Sequence, residues 1–119
     1  MGYRSDVGLC LSAKGKEALD AALDEARQNK EHLSLIMALL DGAAVRVSTD
    51  DGVVAYHWEY LKWYADYSDV RFIENLLRNL DEEDYLFIRV GESDDDTEYR
   101  GGFWGNPLGM CLVRGIAFD

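Results

Sequence analysis

The feature that most constrains the fold is an Asp-Gly pair, residues 51–52, between two runs of alternating side chains. The runs on either side, residues 45–49 and 54–58, place β-branched and aromatic residues at every second position. Asp-Gly is a favoured sequence for a two-residue hairpin turn, because both central residues of that turn need positive φ. The segment therefore predicts a β-hairpin that turns at Asp51-Gly52.

Three other segments repeat their apolar residues with the period of a helix. They predict a helix that is capped by Ser12 and ends near residue 29, a short helix over 31–41, and a longer helix over 68–80. In each, charged and polar residues occupy the opposite side. We therefore expect all three helices to pack one face on a core.

The remaining segments predict strands. Residues 6–12 and 86–90 alternate apolar and small or polar side chains, residues 97–100 complete a second hairpin, and 110–118 predict a final strand after a glycine-rich loop. The order is strand, helix, short helix, hairpin, helix, hairpin, strand. It predicts an α+β two-layer sandwich, with a mainly antiparallel sheet and helices on one face, ferredoxin-like with additions.

Length and composition predict one domain over residues 1–119, because 119 residues that are 48% apolar can bury a core of their own. No apolar run approaches the roughly 20 residues that cross a bilayer, and the first residues lack the profile of a secretory signal. We therefore expect a cytoplasmic protein with no membrane partner. Cys10 and Cys111 lie in apolar surroundings and are expected to be buried thiols.

The charge of the chain is concentrated in residues 81–98, which hold nine of the 23 carboxylates and a single base, Arg89. This window supplies −8 of the formal net charge of −11. Such a field repels nucleic acid and attracts basic surfaces, so we expect a protein partner with a basic surface and no direct nucleic-acid binding. The predicted partner-binding carboxylates are Asp81, Glu82, Glu83, Asp84, Glu92, Asp94, Asp95, Asp96 and Glu98.

Six of the 14 aromatic residues lie within residues 56–67. Tyr56 and Trp58 share a strand face with apolar neighbours and are expected in the core. Trp63, Tyr64 and Tyr67 lie near a turn, and aromatic side chains there are typical anchors for a protein partner. We therefore add these three residues to the predicted partner-binding surface.

Two motifs that could indicate a metal or a cofactor fail on inspection. Residues 94–98 suggest a calcium loop, but an EF-hand needs Gly at its sixth position and Glu at its twelfth, where this chain has Tyr99 and Gly105. The glycines of residues 101–105 lack the Lys and Ser or Thr of a phosphate-binding loop. We expect no metal and no cofactor.

Catalytic candidates are few, because the chain has only two histidines. His57 and Glu59 are two positions apart on one strand and could form an acid–base pair. Cys10 and His57 could form a nucleophilic dyad if their strands are neighbours. Both remain alternatives, and we predict no catalytic residues.

The start GYRSDV, the stretch EYLKWYADYSDVRFIENLL and the later YLFIRVGESDDDTEYRG resemble a small family of uncharacterised tailed-phage and prophage proteins. The similar elements are an opening GYRS-V, a KWY..Y.DV segment and a Y.F.RIGE segment followed by acids. They cover about half of the chain, and residues 30–55 have no counterpart. The family has no established activity, so the resemblance implies a source and no site residues.

A phage source favours a non-enzymatic binder of host machinery, since small acidic phage proteins often have that role and some mimic DNA. The resulting prediction is a protein that engages a basic site on a host nucleic-acid-handling complex, as anti-CRISPR or anti-restriction factors do. Two other functions stay open: an accessory domain without a specific partner, and a small hydrolase or nucleotide-handling enzyme built on His57 and Glu59. A homodimer through an exposed sheet edge or the Trp104 loop also stays open.

Overall fold

The computed structural model describes residues 2–93 and 95–113. In chain order its elements are β1 (Ser5–Leu11), α1 (Ala13–Ala26), α2 (Lys30–Asp41), β2 (Ala44–Val47), β3 (Val54–Leu61), α3 (Ser68–Arg78), a one-turn 3-10 helix (Glu82–Asp84), β4 (Tyr85–Val90) and β5 (Thr97–Gly101). None of the described helices is long and apolar enough to pass through a bilayer.

The strands form a single antiparallel sheet in the order β2-β3-β1-β4-β5. Without α2 and β5, the chain runs βαββαβ and its sheet has the order of the ferredoxin-like fold, with β1 between β3 and β4. The helix α2 and the edge strand β5 are therefore additions to that plan. The predicted α+β sandwich is confirmed.

The first two helices begin at residues whose side chains cap them. Ser12 accepts a hydrogen bond from the Gly15 N–H at 3.1 Å and caps α1, as predicted. Asn29 accepts from the His32 N–H at 3.1 Å and caps α2, whereas the sequence interpretation placed it at the end of the first helix. The first helix is shorter than predicted because an Asn side chain at this point stabilises the start of the next one.

The larger core lies between the sheet and the helices. Val7, Leu9 and Leu11 of β1 are fully buried on this face, flanked by Trp58 of β3 and Phe87 of β4. The Trp58 indole N–H donates to the Leu39 carbonyl of α2 at 2.7 Å, so its polar atom is satisfied inside the core. The helices add buried apolar residues at helical spacing, namely Leu19, Ile36, Leu39, Leu40, Val70, Ile73, Leu76 and Leu77.

The second face of the sheet is also covered. Cys10, Ala55, Leu86 and Ile88 are buried there beneath the segment 103–112, which lacks helix and strand structure. The apolar residues of this segment that pack on the face are Phe103, Leu108, Met110 and Leu112.

Asn106 fixes the shape of the covering segment. Its side-chain amide donates to the carbonyls of Phe103 and Met110 at 2.9 and 3.2 Å, and its side-chain oxygen accepts from the Met110 N–H at 2.8 Å. A buried amide with all of these bonds holds the chain in one conformation, because breaking any of them would leave a buried polar group unpaired.

Three predictions need correction. The hairpin exists, but Ser48 bonds to Val53 across a four-residue loop and only Gly52 in that loop has positive φ, at 68°. Residues 110–113 form no strand, since they belong to the covering segment; 114–118 lie outside the described residues. Cys111 is exposed rather than buried.

Gly101 ends β5 in the left-handed region, with φ 85°, and a Cβ at this position would overlap the Tyr85 carbonyl oxygen. We expect Gly101→Ala to lower the free energy of unfolding by about 2 kcal/mol or more, measured by urea denaturation. Gly105→Ala is the matched control, because a Cβ there meets no atom within 4 Å. Equal stability of the two variants would contradict the packing described here.

Candidate functional site

The predicted acidic segments do not form one surface. The 3-10 helix Glu82–Asp84 precedes the first residue of β4, and residues 91–96 follow its last residue. Since β4 has six residues, its ends lie about 17 Å apart. Residues 81–98 therefore do not present one continuous negative face, and the carboxylates predicted to bind a partner fall into two groups at opposite ends of the sheet.

Residues 91–96 connect β4 to β5, and we call their end of the sheet the hairpin-tip end. Arg89, the single base of residues 81–98, is paired there within the chain. The Arg89 guanidinium donates to Asp96 at 2.7 Å and to Glu98 at 3.0 Å, and a further bond of 3.1 Å reaches the Ser5 hydroxyl. Its side chain is 18% exposed. The hydrogen bond to Asp96 is the main cause of the raised pKa of Arg89. Asp96 and Glu98 thus stabilise the fold and offer little free charge to a partner.

The ion pairs continue from β5 to α3. Arg100 pairs with Glu98 at 3.4 Å and with Glu74, and its guanidinium lies 4.8 Å from the centre of the Phe87 ring. The Trp63 indole N–H donates to Glu74 at 3.4 Å. Glu98, Arg100 and Glu74 therefore form a row of alternating charges over the core at the β5 side. The carboxylate of Glu74 comes from α3.

The N-terminal residues are fastened to the same hairpin tip. The Tyr3 hydroxyl donates to Asp96 at 2.6 Å and accepts from the Ser93 N–H at 3.0 Å, and the Arg4 N–H donates to Glu92 at 2.6 Å. Hydrogen bonds from Arg89 and then from Tyr3 lower the pKa of Asp96.

Among the predicted carboxylates that the structure describes at the hairpin-tip end, only Asp95 has no hydrogen bond or ion pair through its carboxylate. The other three, Glu92, Asp96 and Glu98, bind groups of the chain itself. Asp94 lies outside the described residues. This end therefore presents much less free negative charge than the sequence suggested.

The opposite end of the sheet keeps its charge exposed. Asp81, Glu82 and Glu83 are exposed, while Asp84 is half-buried and fastened to the start of α1. The Asp84 carboxylate accepts from the Ser12 hydroxyl at 2.9 Å, and the Ser12 N–H donates to the Asp84 carbonyl at the same distance. These bonds fix the position of the acidic turn relative to the helix.

A second acidic turn meets the first at this end. The loop between β2 and β3 packs against the other side of the α1 start, where a Cβ on Gly52 would lie 3.2 Å from the Ala13 Cβ. Two carboxylates of this loop are exposed, and the first turn of α1 adds one exposed base, Lys14. We call the five exposed carboxylates of the two turns the acidic end: Asp50, Asp51, Asp81, Glu82 and Glu83.

Sequence interpretation missed Asp50 and Asp51, which are about 30 positions away from Asp81. The position of these two residues beside Asp81 follows from the order of the strands in the sheet. In an antiparallel sheet with β1 at its centre, the turn that precedes β3 and the turn that precedes β4 lie at the same end, because Leu11 of β1 pairs with both Val54 and Tyr85.

The predicted aromatic anchors are separated from the acidic end. Trp63 is buried against Trp58 and Phe87, so its inclusion in the partner-binding surface is wrong. Tyr64 and Tyr67 pack with ring centres 5.1 Å apart, and Tyr67 is 40% exposed. Both follow β3 and therefore lie at the hairpin-tip end. Tyr56 and Trp58 are core residues, as predicted.

The catalytic alternatives find no supporting geometry in the described residues. Cys10 pairs with Ala55 and His57 pairs with Gly8, so the two are diagonal on the second face, and burial raises the pKa of the Cys10 thiol to about 11. His57 lines a largely apolar cavity of about 420 Å³ under residues 108–113, and no hydrogen bond joins it to Glu59. No group of three or more described His, Cys, Asp or Glu side chains is placed to hold a metal.

Comparison of the chain with protein-family models, with curated proteins and with solved structures finds no match. On the geometry of the described residues the candidate site is the acidic end, where two turns present five exposed carboxylates, of which Asp51 accepts a hydrogen bond from the Ser48 hydroxyl at 3.3 Å.

The depressed pKa of Asp96 predicts a pH dependence of stability. Between the ordinary Asp value of about 3.9 and the lower folded-state pKa, the unfolded chain binds more protons, so unfolding becomes easier as pH falls through this window. We expect Asp96→Asn to be less stable at neutral pH and to lose less stability on acidification, measured by urea denaturation over a pH series. Asp95→Asn, its exposed neighbour, should follow the wild type; the same flattening in both variants would contradict a specific Asp96 contribution.

The two cysteines should differ in reactivity. Cys111 is exposed, while Cys10 is buried with a raised pKa that keeps it protonated at neutral pH. We expect iodoacetamide to modify Cys111 alone in the folded protein and both residues in urea, as read by peptide mass spectrometry. Rapid modification of Cys10 in the folded state would revive the Cys10 and His57 dyad.

Proposed function

We propose that this protein is a non-enzymatic binding protein whose acidic end occupies a basic, nucleic-acid-binding site on a partner protein. The observation that carries the proposal is the convergence of two separate acidic turns on the start of α1. Five exposed carboxylates lie there, in a chain whose net charge is −11. Such a surface selects partners by charge, because like charges repel and opposite charges accelerate encounter.

The support under the acidic end favours binding. The Ser12 and Asp84 bonds hold one turn. In the other, the Ser48 N–H donates to the Val53 carbonyl at 2.8 Å and the Ser48 hydroxyl donates to the Asp51 carboxylate at 3.3 Å. Because these turns are fixed before a partner arrives, little conformational entropy is lost when the carboxylates are engaged. The arrangement therefore suits recognition better than five carboxylates on a flexible tail would.

The partner class follows from charge and from the resemblance to phage proteins. A site that normally binds phosphates carries clustered Lys and Arg, and a rigid group of carboxylates can compete for it as a DNA mimic. We therefore infer a host nucleic-acid-handling complex as the target, in the manner of anti-CRISPR or anti-restriction factors. Binding by exposed charges should weaken as salt rises.

The test compares two variants with the same change in charge. The first neutralises three of the five carboxylates of the acidic end, with Asp81→Asn, Glu82→Gln and Glu83→Gln, and is called the acidic-end variant. The matched control neutralises exposed carboxylates elsewhere, with Glu59→Gln, Asp66→Asn and Asp95→Asn. Each immobilised protein is incubated with nuclease-treated bacterial lysate at low and high salt, and captured proteins are identified and then titrated as purified components.

We expect the wild type and the control to capture the same nucleic-acid-binding protein at low salt, and duplex DNA to displace it. The acidic-end variant should bind that protein roughly tenfold more weakly, since three exposed charge contacts contribute up to about 0.5 kcal/mol each. Recovery of no such protein, or equal binding by the two variants, would overturn the proposal.

A further inference from the structure

The outer edge of β2 exposes two neighbouring apolar side chains of the described sheet. β2 is an edge strand, and its Val45 and Val47 are 49% and 61% exposed. Edge strands of monomers are commonly protected by Lys, Pro or a bulge. β2 has neither Lys nor Pro, and the side chain of Arg46 points to the second face because Arg46 pairs with Ala55.

The hydrogen-bond pattern shows which backbone groups this edge offers. The Ser48 N–H donates to the Val53 carbonyl at 2.8 Å. In an antiparallel pair, bonded and non-bonded residues alternate, so Arg46 is bonded to Ala55 whereas Val45 and Val47 face β3 without bonds. The N–H and C=O groups of Val45 and Val47 therefore point away from β3, along the open edge.

The residues that flank β2 limit the available donors. The Ala43 N–H donates to the Leu40 carbonyl at 3.2 Å, and the Ser48 N–H is used by Val53. The open donors of this strand are therefore those of the two exposed valines. Any strand that pairs with β2 has to match this short set.

We propose that a second copy of the chain pairs with this edge, β2 against β2 and antiparallel across a twofold axis, with Val45 of each copy opposite Val47 of the other. In this register every outward N–H and C=O of both valines has a partner, and the four valine side chains meet on the helix face. One alternative of the same parity places Val45 opposite itself and leaves the Val47 carbonyl without a donor, because the Ala43 N–H is already used. The other places Val47 opposite itself and pairs Val45 with Thr49, a turn residue outside β2. The edge is thus complementary to itself in the register that keeps every pair within β2.

Charge gives this contact a signature that distinguishes it from binding to a basic partner. The pairing places Arg46 opposite Arg46 of the second copy, and each copy has a net charge of −11. Like charges directly opposite weaken a strand pair, and salt screens them. The dimer should therefore become tighter as salt rises, whereas partner binding through the acidic end should become weaker.

The test uses proline at a position where the monomer can accept it. Val45→Pro removes an N–H that makes no bond to β3, and proline is tolerated on edge strands with that orientation. Val45→Thr is the matched control, because it keeps the N–H and the β-branched shape. Association of the full-length proteins is measured by sedimentation velocity over a concentration series at low and high salt, with circular dichroism and urea denaturation to confirm that each variant folds.

We expect the wild type and Val45→Thr to dimerise, and Val45→Pro to raise the dissociation constant roughly tenfold or more. Arg46→Thr should tighten the dimer at low salt. Hydrogen exchange should show the Val45 and Val47 amides becoming protected as protein concentration rises. A wild type that stays monomeric at all concentrations, or a Val45→Pro variant that is folded and dimerises as well as the wild type, would overturn the proposal without bearing on the acidic end.

Discussion

The pairing of β1 with both β3 and β4 is the interaction on which the rest of the structure depends. Val7, Leu9 and Leu11 are buried on one face of this strand and Cys10 on the other, so β1 has apolar contacts on both sides. A one-residue shift in its register would exchange the two faces, which makes that register strongly specified. The same register decides which turns of the chain share an end of the sheet, and therefore where the carboxylates gather.

Local structure was largely predictable from the sequence, because apolar period and capping residues act over a few positions. The three helices, the two hairpins and the ferredoxin-like order all follow from such patterns. The site was not predictable in the same way. Residues 81–84 and 91–96 are close in sequence but separated by the length of β4, and Asp50 and Asp51 reach the first of these segments only through the pairing of strands. Trp63 shows the same limit, since its burial depends on contacts with Trp58 and Phe87 rather than on its neighbours in sequence.

The carboxylates of this chain divide into two groups with different physical roles. Around Arg89 and Arg100 they neutralise half-buried guanidinium groups and join β4 and β5 to α3 and to the N-terminal residues. At the acidic end they have no such partners in the described chain and remain in water. Formal charge alone treats the two groups alike, whereas only the second group projects its field outward. A charge count over a sequence window therefore overestimates the surface that a partner can meet.

The segment 103–112, fixed by Asn106, covers a face whose strands are all made before it. The hydrogen bonds of Asn106 lie within the segment itself, so its opening would expose Cys10, Ala55, Leu86 and Ile88 together while the strands stay paired. Such a local opening wets one side of the sheet and leaves the core on the helix side closed, and the two faces can therefore differ in how fast their amides exchange.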